Sequence, residues 1–209
     1  MIIEFIIIGF IGYILGSIPT AVWVGKAWHG IDVREHGSKN AGATNTFRVL
    51  GKKPGIVVLT IDILKGVLAV LSPFFLVFLQ IVNSESSIDH LQIVAAIFAV
   101  IGHMFPLFAG FKGGKGVATS LGIIIGMQPI AAAFCIVAFL IVFIVTNYVS
   151  LGAIVASVIF PIIVFMRHPE STEMHFFSFI LASAVVFAHR KNITRLMKGD
   201  ESKMNLFKK

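Results

Sequence analysis

The sequence predicts an all-α integral membrane protein of about seven transmembrane helices, two of them short, with the N-terminus outside and the C-terminus inside. Three observations favour this fold class. Hydrophobic residues make up 57% of the 209 residues, charged residues only 13%, and the mean hydropathy is +0.94, far from the soluble average. Apolar runs recur along the whole chain, and the basic residues lie between them.

The apolar runs have the character of membrane helices. A helix needs roughly 20 apolar residues to cross a bilayer, and the runs lack the alternation of a barrel strand. Because backbone groups in hydrocarbon must bond to one another, helices are the expected form. The predicted spans are 2–24, 54–82, 91–109, 117–127, 130–146, 149–166 and 176–188. The fourth and seventh are short, so a five-span alternative, with both as re-entrant or interfacial pieces, remains open.

The basic residues predict the orientation. Of the 17 lysines and arginines, 15 lie in segments 25–53, 110–116 and 188–209, whereas 83–90 holds none and 167–175 holds only Arg167. Seven crossings place the three basic segments on one side, which the positive-inside rule makes the cytoplasm. Five spans would move segment 167–175 to that side, so we prefer seven, in a single transmembrane domain over residues 1–209.

Charge and cysteine content restrict the expected partners. The net charge of +7 is spread over loops between spans rather than over one soluble face, so we expect no nucleic acid. Membrane lipids or a phosphorylated substrate are the expected anionic partners. The single cysteine, Cys135, lies within an apolar run, and the basic motifs lack carboxylates or histidines clustered at metal-ligand spacing. We therefore expect neither a metal nor a cofactor.

The first polar motif follows the first span. Its sequence GSKNAGATN precedes an arginine at position 48. Glycines let the backbone approach an anion closely, and arginine can hold phosphate oxygens through two N–H groups. A flexible loop that only obeys the positive-inside rule is the alternative, and it is favoured for the lysines alone. The predicted site residues are Gly37, Ser38, Asn40, Gly42, Thr44, Asn45 and Arg48.

The second motif, FKGGKGVAT from Phe111 to Thr119, leads into the short fourth span. A glycine-rich turn that enters a helix is a potential anion site, because free N–H groups and the helix dipole point the same way. It is not a Walker P-loop, since Lys115 is followed by Gly116. The alternative is a tight turn whose glycines serve helix packing. The predicted site residues are His103, Lys112, Gly113, Gly114, Lys115 and Gly116.

The third motif, HRKNITRL, follows the last span. If the helix continues, His189 and Asn192 share a face and Arg195 lies about one turn further on. A basic tail resting on anionic lipid is the alternative. Within the second span, Asp62 and Lys65 are three residues apart, and charges inside a membrane are functional candidates. A structural ion pair that supports the cytoplasmic loops is the preferred interpretation.

Together these motifs resemble the acyl-phosphate-dependent glycerol-3-phosphate acyltransferases of bacteria, the PlsY family. Two further pieces match: GSIPTA from Gly16 to Ala21, and Asp62 with Lys65-Gly66. The resemblance implies a seven-span enzyme of the bacterial cytoplasmic (inner) membrane, with its active site on the cytoplasmic side. It would transfer a fatty acyl group from acyl-phosphate to the sn-1 hydroxyl of glycerol 3-phosphate, giving lysophosphatidic acid and phosphate. We expect the catalytic residues to be Ser38, Arg48, Lys115, His189 and Asn192, with the other motif residues binding substrate.

A membrane transporter of an anionic phosphorylated metabolite is the alternative function. It would place polar residues near the membrane midplane on broken helices of repeated halves, whereas these motifs lie at one predicted face. For the enzyme we expect direct transfer without an acyl-enzyme, because Ser38 has no sequence-evident Asp–His relay and Cys135 is mid-span. A substrate phosphate or His189 would receive the hydroxyl proton.

Overall fold

The structure, a computed structural model, describes residues 2–82 and 87–204, which form ten α-helices. In chain order these are α1 (Ile2–Gly16), α2 (Thr20–His29), α3 (Ala43–Leu50), α4 (Lys52–Phe78), α5 (Ile88–Met104), α6 (Val117–Met127), α7 (Pro129–Thr146), α8 (Val149–Arg167), α9 (Thr172–Ala188) and α10 (Arg190–Lys198). Each predicted apolar run contains an α-helix, so the all-α prediction is confirmed. Part of the predicted outward loop 83–90 and of the basic tail, including Lys208 and Lys209, lies outside the described residues.

Five helical segments of the described chain are long and apolar enough to cross a bilayer, and α9 with α10 gives a sixth if the bent pair is one span. The remaining apolar helix, α6, has 11 residues and is therefore only about 16 Å long. That length is about half of the hydrocarbon core. The chain is a multi-pass membrane protein, while the count of seven spans and the orientation stay predictions.

The first candidate span, Ile2–His29, contains a break near Pro19. α1 ends at Gly16 and α2 begins at Thr20, with Pro19 between them. Proline cannot donate a backbone hydrogen bond and disfavours helical geometry in the residue before it. The break leaves the carbonyl of Ile18 available to accept a bond from Lys65, described below.

The chain divides into two compact units, Met1–Met127 and Gln128–Lys209. In the first unit α1 packs closely along α5, because a side chain at Gly12 or Gly16 would meet the backbone at Ala95 or Ala99. The matching order of these contacts makes the two helices parallel. Backbone contacts at Gly66 and Gly122 place α4 and α6 side by side in the same way. This packing fixes the C-terminal end of α5 and the N-terminal end of α6, and the second motif lies between them.

In the second unit, α7 and α8 form a hairpin about Asn147, whose backbone is left-handed (φ +61°). Phe160 of α8 and Phe177 of α9 meet edge to face, with ring centroids 6.4 Å apart. The tail after α10 returns to the hairpin, where the N–H of Met204 donates to the Asn147 carbonyl at 2.8 Å. The third motif is therefore held between α9 and a docked tail.

Candidate active site

Asn45 shapes the first motif from inside. Its side chain is fully buried, and its Oδ1 accepts a 2.8 Å hydrogen bond from the Ser38 N–H. Its Nδ2 donates to the carbonyls of Val33 at 2.7 Å and His36 at 3.1 Å, which engages both N–H donors of the amide. Asn45 thus holds the loop in shape, and its predicted contact with substrate stays a prediction.

The other predicted residues of this loop differ in their exposure to solvent. Ser38 and Arg48 are exposed. Gly37 has a left-handed backbone (φ +57°), and a side chain there would strike the Asn45 amide. The remaining predicted residues of the loop are half-buried or buried: Asn40, Gly42 and Thr44. The loop therefore leaves a hydroxyl and a guanidinium accessible, which are two of the groups that bind phosphate.

The glycines of the second motif pack against the end of α5. The N–H groups of Gly113 and Gly114 donate to the carbonyls of Met104 at 3.2 Å and His103 at 3.1 Å. A side chain at Gly114 would collide with the His103 imidazole, so only glycine fits. These two glycines therefore pack closely against α5. Substrate binding by Gly113 and Gly114, and phosphate binding by Lys112 and Lys115, stay predictions.

A buried polar network lies between the two motifs. Lys65 Nζ is 2.8 Å from Asp62 Oδ1 and donates to the Ile18 carbonyl at 2.9 Å. Thr20 Oγ1 donates to the same carboxylate oxygen at 3.1 Å. The expected ion pair is confirmed, and both side chains are almost fully buried.

His103 belongs to this network. Its imidazole is 6% exposed, with Nδ1 3.0 Å from Thr119 Oγ1 and 3.8 Å from Asp62 Oδ1. A cavity with room for about one water molecule adjoins the network, lined by residues that include Thr20, Ala41, Asp62, Lys65, His103 and Gly113. Ala41 and Gly113 bring the first and second motifs to the same cavity, while substrate binding by His103 stays a prediction.

Arg34 links the two motifs, and the sequence analysis did not single it out. Its Nη1 donates to the Ala109 carbonyl at 2.7 Å and to the Lys112 carbonyl at 3.3 Å. Asp32 holds the other side of the guanidinium, through Nε at 3.0 Å and Nη2 at 2.7 Å. The hydrogen bond from the Arg34 side chain lowers the pKa of Asp32 to about 2.

In the second unit the structure corrects the assumption of a continuous helix at the third motif. α9 and α10 meet at an angle of 56°, and His189 is the residue between them. Its Nδ1 lies 2.8 Å from the Val185 carbonyl. Because a carbonyl only accepts, Nδ1 carries the proton, and the lone pair of the neutral ring is on Nε2.

Asn192 and Arg195 meet at one carboxylate, that of Glu201. Asn192 Nδ2 donates to Oε1 and Arg195 Nε to Oε2, each at 2.7 Å. Ser150 Oγ also donates to Oε1, at 2.8 Å. Burial raises the pKa of Glu201, but the hydrogen bonds from Arg195, Asn192 and Ser150 outweigh burial and hold that pKa below its usual value.

Ser150 and Arg34 were missed because their partners are distant in sequence. Asp32 and Glu201 lie close to their partners along the chain, but the sequence alone does not show that the side chains meet. The only local signal for Glu201 was a carboxylate in a mostly basic tail, and Arg34 contacts residues 75 and 78 positions away. The structure brings Ser38 to Asn45, His103 to Gly114 and Asn192 to Arg195. Ser38, Arg48 and Lys115 belong to the first unit, and His189 and Asn192 to the second.

A metal site needs several carboxylate, imidazole or thiolate ligands grouped together. Within residues 2–82 and 87–204, no three His, Cys, Asp or Glu side chains are grouped so that they could hold a metal ion. The motifs instead offer hydroxyl, amide and cationic groups, which suit oxyanions. The expectation of a metal-free reaction stays a prediction.

Comparison with known proteins gives one consistent family. The family model described as glycerol-3-phosphate acyltransferase matches residues 6–199. The glycerol-3-phosphate acyltransferase of Fusobacterium nucleatum is 42% identical over 193 residues, covering 91% of this chain and 93% of the relative. That of Chlorobaculum tepidum is 39% identical over 230 residues and covers 99% of each chain.

Solved structures agree with the sequence relatives. The crystal structure of PlsY (YgiH), an integral membrane glycerol 3-phosphate acyltransferase in its glycerol 3-phosphate form, superposes with a TM-score of 0.84 at 34% identity. The superposition covers 98% of this chain and 99% of that one. Its lysophosphatidic acid form gives a TM-score of 0.81 at the same identity, over 97% and 96% of the two chains.

Proposed function

This chain belongs to the glycerol-3-phosphate acyltransferase family, and on that premise we propose that its acyl donor is acyl-phosphate. The acyl group would go to the sn-1 hydroxyl of glycerol 3-phosphate, giving lysophosphatidic acid and orthophosphate. The motif-based assignment to the PlsY family is confirmed by these comparisons. The acyltransferase role therefore stands as a family property, and the donor, the position acylated and the residues are what we propose.

The observation that carries the proposal is the adjacency of two phosphate-binding candidates in the first unit. Ala41 of the first motif and Gly113 of the second line one cavity, and Arg34 joins their loops. One loop carries Ser38 and Arg48, the other Lys112 and Lys115. A reaction between two phosphate-bearing molecules needs two such groups of donors side by side.

The chemistry is direct acyl transfer. The sn-1 oxygen attacks the carbonyl carbon of acyl-phosphate, the carbon–oxygen bond to phosphate breaks, and orthophosphate leaves with the bonding pair. The hydroxyl proton would pass to a substrate phosphate or to the imidazole of His189. Cationic donors at Arg48 and Lys115 would neutralise the charge on the leaving phosphate.

Ser38 acts in this scheme as a phosphate ligand and not as a nucleophile. A serine nucleophile needs a neighbouring base, whereas Ser38 donates its backbone N–H to the Asn45 side-chain amide. Cys135 is no better placed, because it is buried and directs its thiol to the Ala156 carbonyl at 3.4 Å. No covalent acyl-enzyme is therefore part of the proposal.

The proposed location is the bacterial cytoplasmic membrane, with both motifs of the first unit on the cytoplasmic side. The distribution of Lys and Arg supports this orientation. Membrane lipid would accommodate the acyl chain of donor and product, while the phosphate ends meet the polar loops. The product would thus form at the membrane surface and remain in it.

The deciding experiment offers the purified protein glycerol 3-phosphate with either acyl-phosphate or acyl-CoA and measures lysophosphatidic acid. We expect lysophosphatidic acid to form with acyl-phosphate as the donor and not with acyl-CoA. Lys115→Met, Arg48→Met and Asn192→Ala should each slow transfer about 100-fold or more, the typical effect of removing one donor to developing charge. Lys53→Met, at an exposed position, should retain the rate. Product from acyl-CoA and not from acyl-phosphate would refute the donor assignment.

A second experiment addresses the mechanism. Protein mixed with acyl-phosphate alone is quenched on the millisecond scale and analysed by mass spectrometry for a bound acyl group. We expect none. An adduct on Ser38 that forms and decays as fast as turnover would replace direct transfer with a covalent route.

A further inference from the structure

Asp32 and Arg34 form a bridge between the first and second loops. Asp32 lies just before the short turn Val33–Glu35 and accepts the backbone N–H of Arg34 at 3.0 Å as well as its side chain. The Arg34 guanidinium then reaches the carbonyls of Ala109 and Lys112. Because Asp32 fixes the guanidinium from behind, Arg34 meets the second loop in one orientation.

The two carbonyls that Arg34 holds enclose an unfavourable stretch of backbone. Gly110 and Phe111 lie between them, and both have left-handed conformations, with φ of +62° and +58°. Glycine adopts this conformation readily, but a bulky residue such as phenylalanine seldom does. Such a conformation persists only where surrounding contacts impose it, and the bond from Arg34 on each side of the pair is such a contact.

The stretch leads directly to the two lysines of the second loop. Lys112 follows Phe111, and the bonds from Gly113 and Gly114 to the end of α5 fix the next two residues. Arg34 thus holds one end of the segment 112–115, and α5 holds its middle. If Arg34 were lost, the left-handed pair could relax, and the Lys112 backbone would lose its fixed position.

We propose that Arg34, oriented by Asp32, is a positioning residue that sets the phosphate-binding geometry of the Lys112–Lys115 loop. This rests on the proposed use of that loop as a phosphate site. Arg34 itself is not the phosphate ligand, since its Nε and Nη2 face the Asp32 carboxylate and its Nη1 faces two carbonyls. The carboxylate also balances its charge.

The test compares purified Arg34→Gln, Arg34→Lys and Asp32→Asn with the native protein. Each is assayed for kcat, for KM of acyl-phosphate and of glycerol 3-phosphate, and for thermal unfolding. We expect Arg34→Gln to raise at least one KM about tenfold, the equivalent of one charge-assisted hydrogen bond, with a smaller effect of Asp32→Asn. Arg34→Lys should not restore the native KM, because one ammonium cannot contact Asp32 and two carbonyls together.

Lys26→Met is the matched control. Lys26 lies 3.8 Å from the same Asp32 carboxylate, but its side chain is 61% exposed. Its KM values should equal those of the native protein. An Arg34→Gln protein with both KM values unchanged would overturn the proposal, as would full rescue by lysine, which would show that charge alone matters.

A binding measurement separates this inference from the donor assignment. Calorimetric titration with glycerol 3-phosphate, without any donor, is carried out on native protein, Arg34→Lys and Lys26→Met. Failure of acyl-phosphate as donor would refute the proposed function. The titration contains no donor, so it would still test the positioning role of Arg34. Affinities equal in all three proteins, together with an unchanged KM for whichever donor is active, would refute the positioning role. If Arg34→Gln does not fold, Arg34→Lys decides the outcome by the same criteria.

Discussion

Asn192 Nδ2 lies 2.7 Å from Glu201 Oε1, so a predicted catalytic amide is held by a carboxylate nine residues further along the chain. The same carboxylate holds Arg195 and Ser150. Because one acceptor serves three donors from α8 and α10, its charge sets the orientation of the whole group. The catalytic role predicted for Asn192 would thereby depend on Glu201 as well.

Glu201→Gln should lower kcat about tenfold or more. Glutamine keeps the shape but places an uncharged, partly donating group against Arg195, and a hydrogen bond to a charged group contributes about 1.5–3 kcal/mol. Steady-state rates with detergent-solubilised protein provide the measurement. Asp200→Asn, at the exposed neighbouring position, is the control and should retain the native rate. Equal activity of the two variants would contradict the role assigned to Glu201.

Gly114→Ala should abolish most activity and lower the unfolding temperature. The added carbon would collide with the His103 imidazole, so the second loop would have to leave α5. Gly110→Ala is the comparison, since its left-handed backbone (φ +62°) has open space around it and the expected loss is about 1–2 kcal/mol. Assays and thermal unfolding of both variants should rank Gly114→Ala as the more damaging. The reverse order would argue against the close packing.

Lys65→Met should destabilise the fold by about 3–5 kcal/mol, because it leaves the buried Asp62 carboxylate without its cation. The double variant Asp62→Asn with Lys65→Met should lose less than the two single variants together, since neither charge then remains. Thermal or chemical unfolding in detergent measures all three. Strict additivity would show that the two side chains, 2.8 Å apart, are not energetically coupled.

Acid should weaken the Asp32–Arg34 bridge. The folded protein holds the pKa of Asp32 at about 2, below its ordinary value of 3.8, so folding favours the ionised carboxylate. Its contribution to stability is fully present above about pH 4 and is lost as the pH falls towards 2. The difference in unfolding temperature between native protein and Asp32→Asn should therefore shrink over that interval. A constant difference would contradict the assignment.

The membrane orientation can be tested within the second unit alone. Ser150 at the start of α8 binds Glu201, whereas Ser171 follows the end of this 19-residue helix, about 28 Å away along its axis. With Cys135 replaced, cysteine at position 203 should react only from the cytoplasmic side and cysteine at 171 only from outside. Labelling of 171 from the cytoplasm would exclude the seven-span topology.

The helices were predictable because the signal is local. Apolar runs between Lys- and Arg-bearing segments identify membrane helices without knowledge of their neighbours. The ends and bends of the helices were less predictable. The run 2–24 is divided near Pro19, and the helix expected to continue through His189 bends at that residue. Asp62 with Lys65 was predictable as a pair, since three residues on one helix bring the side chains together.

The motifs of the candidate site were recognisable in the sequence, but the contacts within them were not, and the substrate-binding roles stay predictions. Glycine-rich and basic segments indicated phosphate chemistry, yet the division of work inside them depends on tertiary packing. Asn45 looked like a substrate ligand and holds the loop, and Gly114 looked like an anion-binding amide and bonds to the His103 carbonyl. Arg34 looked like one more loop cation, because nothing in its surroundings in sequence indicates the Ala109 carbonyl.

The spacing of Asp62 and Lys65 also bears on how the protein is made. Each charge alone would oppose entry of α4 into the bilayer by about 2.5–3.5 kcal/mol. Because both residues lie on the same helix, their ion pair can form inside the nascent segment before α4 packs against any other helix. Thr20 and the Ile18 carbonyl then complete the network as the helices assemble. α4 would therefore enter the bilayer with an internally neutralised pair, independent of the order in which its neighbours pack.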